Sequence, residues 1–249
     1  MSYNYKEGKK RILEILNDEN DIKQVDTIPQ DSEFTYDNGY YGWVTSLFVD
    51  IRKSTELFSE NKKSSTARII RSFTSEIIEI LHSDNNLREI GIRGDCVYAI
   101  YTTPSKEDID DVCIKGYLIN SFLDMLNKLL ENKKMKTIKA GIGISSAQDL
   151  VVKAGRKNTG INSKVWIGKA VTYASKLSNL ANSNSCSKKL LMSDITYNNV
   201  IEILKKRNSE KNVYSWFTKY NSSELGTYYG CNVVCSDFDN WVNGGMKDE

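Results

Sequence analysis

Apolar positions recur along this chain in two rhythms, and the switches between them predict its elements. Residues 5–18 carry Ile12, Leu13, Ile15 and Leu16 on one side of a short amphipathic helix. Residues 19–40 are polar and rich in Asp and Asn, and read as a loop or arm. WVTSLFVDI (43–51) is a near-continuous apolar run ending in a charge, the pattern of a strand buried on both faces. Ile69, Ile70, Phe73, Ile77, Ile80 and Leu81 return to helical spacing and predict a helix over 63–82. LREIGI (87–92) and CVYAIY (96–101) flank Arg93-Gly94-Asp95, which predicts a hairpin with Asp95 at its tip. A long helix over 105–132 places Ile114, Tyr117, Leu118, Phe122, Met125 and Leu129 on one face. Strands are expected at 136–145 and 149–155, a helix at 168–181, a strand at 188–193 and a helix at 194–206. VYSWFT and GTYYGCNVV read as two closing strands. The order β-α-ββ-α-ββ-α-β-α-ββ implies an α/β sandwich, a mixed β-sheet flanked by helices. An N-terminal helix and arm (1–40) would precede one domain over 41–249.

Charge and composition narrow the function. Lys+Arg number 34 against 32 Asp+Glu, a net charge of +2, so no nucleic-acid partner is expected and a bound anion must be held locally. No run approaches the ~20 apolar residues of a membrane span, and the N-terminus lacks a signal peptide's apolar core. The expected location is cytoplasmic, with no membrane partner. Five cysteines fit no zinc spacing and read as free thiols. The single histidine, His82, at the end of an amphipathic helix, argues against Ser-His-Asp and multi-histidine metal chemistry.

Two acidic residues stand out against this background. Asp50 ends the first core strand and Asp95 tips the following hairpin. If those strands are neighbours, both carboxylates emerge at one sheet edge, a hard-oxygen site suited to Mg²⁺ or Mn²⁺. Arg52, Ser54 and Thr55 then open a segment leading toward a helix, whose free N–H groups suit phosphate. Either aspartate alone could equally cap an element.

The combination resembles a known family. FVDIRKST (48–55), IRGDCVYAIY (92–101), KAGIGIS (139–145) and VWIGKAVTYASKL (165–177) are similar, in order, to the motifs of class III nucleotide cyclase catalytic domains. The resemblance covers roughly residues 43–205. It implies that family's fold, with a ferredoxin-like core, and makes 41–249 the catalytic domain. It also implies that Asp50 and Asp95 bridge two divalent ions, Mn²⁺ or Mg²⁺, with the Ile51 carbonyl as a further ligand. The ribose 3′-oxygen of a nucleoside triphosphate would attack the α-phosphorus and expel pyrophosphate. Sites of this family form between two domains, so a homodimer with sites at its interface is implied.

Departures from the family pattern bear on the substrate. Cyclic-AMP-forming members carry a lysine four residues before the second aspartate, where this chain has Gly91, and Asp or Thr three residues before the third motif's glycine, where it has Val165. Without those partners each adenine edge group would cost ~1–3 kcal/mol, so ATP should bind poorly. Tyr40, Tyr41, Trp43, Phe48, Arg93 and Trp166 are the bulky residues near the motifs; Phe48, Tyr41, Val165 and Arg93 are the candidate base contacts, and Arg52, Ser54 and Thr55 the candidate phosphate contacts. The third motif's asparagine and arginine are replaced by Thr172 and Lys176, which would orient the ribose and steady the transition-state charge; lysine lacks the planar fork. LVVKAGRKNTGINSKVWIGKAVTYASKL (150–177) is most similar to the pyrimidine cyclases of the bacterial Pycsar anti-phage system. That implies UTP, or alternatively CTP, as substrate, and a cyclic messenger read by a separately encoded effector protein. A catalytically silent nucleotide sensor is the reading from another class.

Overall fold

A 14-residue strand, β2 (Asn38–Ile51), is the axis of the sheet. The computed structural model describes residues 3–60, 63–157 and 159–247. Met1, Ser2, Asp248 and Glu249, the ends of the two expected segments, lie outside the described residues. β2 pairs antiparallel on one side with β4 (Cys96–Thr102) and on the other with β5 (Ala140–Gly155). β3 (Leu87–Arg93) pairs with β4, giving the order β3-β4-β2-β5. Helix α3 (Lys63–His82) connects β2 to β3, and α4 (Lys106–Asn132) connects β4 to β5. This βαββαβ arrangement is the ferredoxin-like unit. The sheet continues through β7 (Leu190–Ser193), β9 (Gly226–Cys231) and β8 (Thr218–Ser222). It is mixed, because β7 runs parallel to β5.

Strand alternation gives the sheet two unlike faces. Leu47, Val49, Val97, Ala99, Tyr101, Ile142 and Ile144 point into the main core with Ile69, Phe73, Ile77 and Leu81 of α3 and Ile119 and Phe122 of α4. Ser105 caps α4 through a capping box with Asp108. The opposite face carries Phe48, Asp50, Cys96 and Tyr98, and is covered by one helix, α5 (Lys169–Leu180). α5 approaches closely because Gly141 and Gly143 lack side chains. A Cβ there would lie 2.2 Å from the Ser178 carbonyl oxygen and 2.1 Å from that of Ala174.

Several expectations need correction. The loop 19–40 contains β1 (Asp21–Gln24), parallel to the start of β2, and a 3₁₀ turn at Asp31–Glu33. All four β1 residues are exposed, so the strand has no apolar signature. β2 begins at Asn38, not Trp43, and the 40/41 boundary falls inside it. The two strands expected at 136–145 and 149–155 are one, β5. Its polar centre reads as a break, yet Ser146 is buried, bonded to Thr45 at 2.8 Å and Thr196 at 3.0 Å. β6 (Asn162–Ile167), an exposed edge strand on β5, was not anticipated, nor was α7 (Ser236–Asn243). VYSWFT is a 3₁₀ turn over Val213–Trp216, with β8 following it. Ser54–Glu60 forms its own helix, α2, and the remaining α1 (Tyr5–Asn17) and α6 (Asp194–Arg207) match their patterns.

Candidate active site

The register of β2 on β4 sets Asp50 opposite Cys96. The hairpin turns through Gly94, whose φ of +64° is open to glycine at no steric cost, and Asp95 therefore sits one step beyond Asp50's partner. Burial raises the Asp50 carboxyl above its ordinary pKa; the Arg52 guanidinium opposes that shift and the nearby Asp95 charge adds to it. Arg52 donates to the Asp50 carboxylate and to the Asn179 carbonyl, tying the end of β2 to α5. Among the described residues no cluster of three or more His, Cys, Asp or Glu forms a metal cage. Two adjoining carboxylates, one raised by burial and by the other, fit a hard divalent cation that takes its remaining ligands from water and phosphate. Ile51 is the last residue of β2. Lys53 turns the chain at φ +56°, Ser54 opens α2 half-buried, and Thr55 is exposed.

Beside Asp50 lies a cavity of about 320 Å³, walled by β2, β3, β4, β6 and α5. Phe48 stacks on Tyr98, with ring centroids 5.1 Å apart and planes 15° apart. Tyr98 lies against Gly91, its cross-strand partner, where a Cβ would fall 2.7 Å from the ring. Tyr98 donates its hydroxyl to Glu89 Oε1 at 2.8 Å, and burial holds its pKa up to about 12. Trp166 donates its indole N–H to Glu89 Oε2, also at 2.8 Å. Arg93 and Val165 line the rim, and Cys96 lies below, its thiol pushed up to about 12 by burial foremost. Such a thiol stays protonated and inert.

α5 closes the cavity with Val171, Ser175, Ser178 and Asn179, spaced to share one helix face. Its N-terminus is held by Asp149 of β5, which accepts from the backbone N–H of Ala170 at 3.1 Å and of Val171 at 3.3 Å. Gly168 makes room for that carboxylate, since a Cβ there would lie 2.0 Å from Asp149 Oδ1. Burial raises the Asp149 pKa, against the pull of those N–H groups. Thr172 and Lys176 stand beside the pocket-facing stripe. Thr172 is exposed, and Lys176 pairs with Glu224 at 2.7 Å in the turn between β8 and β9.

A model of the adenylate and guanylate cyclase catalytic domain matches residues 37–216. A uridylate cyclase of Treponema porcinum is 50% identical over 248 residues, 100% of this chain and 84% of that protein. The chain belongs to the adenylate and guanylate cyclase family. A uridylate cyclase of Gulbenkiania mobilis is 30% identical, covering 97% of this chain and 96% of its own length. In fold, the adenylyl cyclase CyaB from P. aeruginosa superposes with a TM-score of 0.62 at 17% identity, covering 78% of this chain and 95% of that one. A class III adenylyl cyclase-like ATP-binding protein from Pseudomonas aeruginosa reaches 0.67 at 16% identity, over 97% of this chain and 49% of that one. This chain is thus a nucleotide cyclase, and no helix among its described residues is long and apolar enough to cross a membrane.

The cyclase fold gathers Asp50, Asp95, Arg52, Phe48, Arg93 and Val165 around one cavity edge. It does not bring Tyr41 there. Tyr41 is nine residues back along β2, roughly 30 Å at strand rise, and alternation points it to the opposite face. Tyr40 packs edge-on against Phe34 in a second core cluster, and Trp43 is half-buried farther along the same strand. Thr172 and Lys176 share a face, but within one chain it is not the pocket face. Tyr98, Glu89 and Asp149 went unnoticed in the sequence. A charge inside an apolar strand is the available signal for Glu89 in LREIGI and for Asp149 in DLVVKAG.

Proposed function

We propose that the chain converts UTP to 3′,5′-cyclic UMP and pyrophosphate. The observation that carries this reading is the Tyr98 ring lying over Gly91, in the space where an adenine-reading lysine would have to sit. Val165 adds no hydrogen-bonding side chain at the second adenine position. A cavity of about 320 Å³ is at the small end for ligand sites, which run from ~300 to ~1,000 Å³. Arg93 at its rim offers only donors. Uracil presents two carbonyl acceptors, whereas cytosine replaces one with an amino donor, so Arg93 favours UTP over CTP. The names of the two full-length relatives agree.

Asp50 and Asp95, with the Ile51 carbonyl, would hold two divalent ions, Mg²⁺ or Mn²⁺. Such ions lower the pKa of a bound hydroxyl and offset triphosphate charge. In the reaction the ribose 3′-oxygen bonds to the α-phosphorus, the α–β bridging bond breaks, pyrophosphate leaves, and the 3′-hydroxyl proton passes to solvent. Arg52, Ser54 and Thr55 stand at the phosphate end, Phe48, Trp166 and Arg93 at the base end. Thr172 and Lys176 lie outside the lining of their own pocket, which supports a homodimer in which each would reach the partner's ribose and α-phosphate. The chain's part is chiefly positioning and charge complementation.

The test is incubation of the purified protein with each of the four nucleoside triphosphates and Mn²⁺ or Mg²⁺, with products separated by chromatography. Cyclic UMP with equimolar pyrophosphate is expected. No cyclic product from folded, dimeric protein would overturn the cyclase reading, and predominant cyclic AMP or GMP would overturn the pyrimidine assignment. We also infer that cyclic UMP serves as an anti-phage messenger for a separate effector protein. Bacteria expressing both genes should lose phage protection with Asp50→Ala; undiminished protection would overturn that role.

A further inference from the structure

Glu89 has both carboxylate oxygens committed to the pocket walls. Tyr98 donates to Oε1 and Trp166 to Oε2, each at 2.8 Å. The two donors come from unlike places. Tyr98 is on β4, which pairs with β3 directly, whereas Trp166 is on β6, whose ladder is with the far end of β5. Strands β4 and β2 stand between β3 and β5 in the sheet order. The Glu89–Trp166 bond therefore closes across the sheet's curvature, between strands that share no ladder. A second tie runs in parallel, from Lys164 of β6 to the Arg88 carbonyl of β3. β6 is an edge strand with Ile167 54% and Val165 40% exposed, and these ties act beside the packing of Trp166 on the second core cluster.

We propose that Glu89 is a positioning residue that sets base selectivity, holding the Tyr98 ring over Gly91 and the Trp166 indole in place as two walls of the base pocket. This rests on the reading that the base occupies that cavity. The chemistry of the partners supports it. An indole N–H can only donate, and a tyrosine hydroxyl held protonated by burial donates here. One carboxylate receives both donors, one on each oxygen, while an apolar residue would lose both bonds. With Tyr98 free to swing off Gly91, the space that excludes a larger base opens.

The geometry separates a positioning role from a direct charge effect. In Glu89→Gln the amide oxygen can accept from the indole and the amide N–H can donate to the Tyr98 hydroxyl, so the fastening survives without the charge. Glu89→Leu keeps comparable bulk and loses both bonds. Values of kcat and KM for UTP and ATP should be measured on the full chain with Mn²⁺. Glu89→Gln is expected to keep the UTP kcat/KM within about threefold, whereas Glu89→Leu raises the UTP KM about tenfold, changes kcat less, and lowers the UTP-over-ATP preference about tenfold or more. Should Glu89→Leu fail to fold, Trp166→Phe, which removes one donor, decides the matter by a smaller shift in the same direction. Unchanged selectivity in the folded leucine or phenylalanine variant overturns the proposal, as does a glutamine variant as impaired as the leucine one. Inactive wild-type protein would instead overturn the reaction itself.

Discussion

The two faces of the central sheet are built to different rules from the same strands. On one face Leu47, Val49, Val97, Ala99 and Tyr101 are fully buried beneath α3 and α4. On the other, the alternate residues Phe48, Asp50, Cys96 and Tyr98 are half-buried, in a cavity walled by α5 and the edge strand β6. Period-two alternation makes this possible, since a single strand can serve a closed core and an open site at once. The lesson is that, at the site end of β2, stability and chemistry are separable residue by residue. A change at Leu47 or Val49 should act on folding, and one at Phe48 or Asp50 on turnover.

The sharpest break should come from Asp50→Ala or Asp95→Ala, which should lower cyclic UMP formation by about 10³-fold or more, followed by pyrophosphate release, with the circular dichroism of the fold retained. Robust turnover in either variant would mean the metal edge is elsewhere. The opposite break is Phe73→Ala on α3, expected to cost about 3–5 kcal/mol in denaturant unfolding, while the folded fraction keeps its substrate selectivity. Gly168→Ala sits between these extremes. Its Cβ must push Asp149 or α5 aside, so activity should fall on the order of 10²-fold while the core on the far face persists.

The smallest effect concerns pH. Asp149's folded pKa lies above its unfolded value, chiefly through burial. In the window from 3.8 up to that folded value the native state holds more protons than the unfolded state, so this group's contribution to stability falls as pH rises. The stability of wild type relative to Asp149→Asn should therefore decline from acid toward neutral pH in paired melts. A difference that grows with pH would contradict the assignment.

Much of this was legible in the chain because runs and spacing report local order. Asp50 closes one apolar run and Asp95, at the turn through Gly94, opens the next; the β2–β4 pairing that sets them side by side is legible in the sequence only as a condition. What escaped was long-range. Glu89 and Trp166 are 77 positions apart and no periodicity links them. Tyr41 looked close to Asp50 in sequence, but an extended strand converts nine residues into distance. Ser145, Ser146 and Asp149 read as an interruption of β5, since a polar residue satisfied by a buried partner looks the same in sequence as one facing water. The exposed strands β1 and β6 are held by backbone pairing and side-chain ties, which leave little trace in an apolar pattern. Thr172 and Lys176 were visible as a pair, but their spacing does not say which surface their helix turns toward.

The open face is read here as a pyrimidine pocket, and direct competition tests that most plainly. Equal concentrations of UTP and ATP are placed in one reaction with Mn²⁺ and the wild-type chain, and the initial ratio of cyclic UMP to cyclic AMP is measured. With Tyr98 over Gly91 and no adenine partner at Val165, cyclic UMP should exceed cyclic AMP by about 10²-fold or more. Equal amounts, or an excess of cyclic AMP, would contradict it.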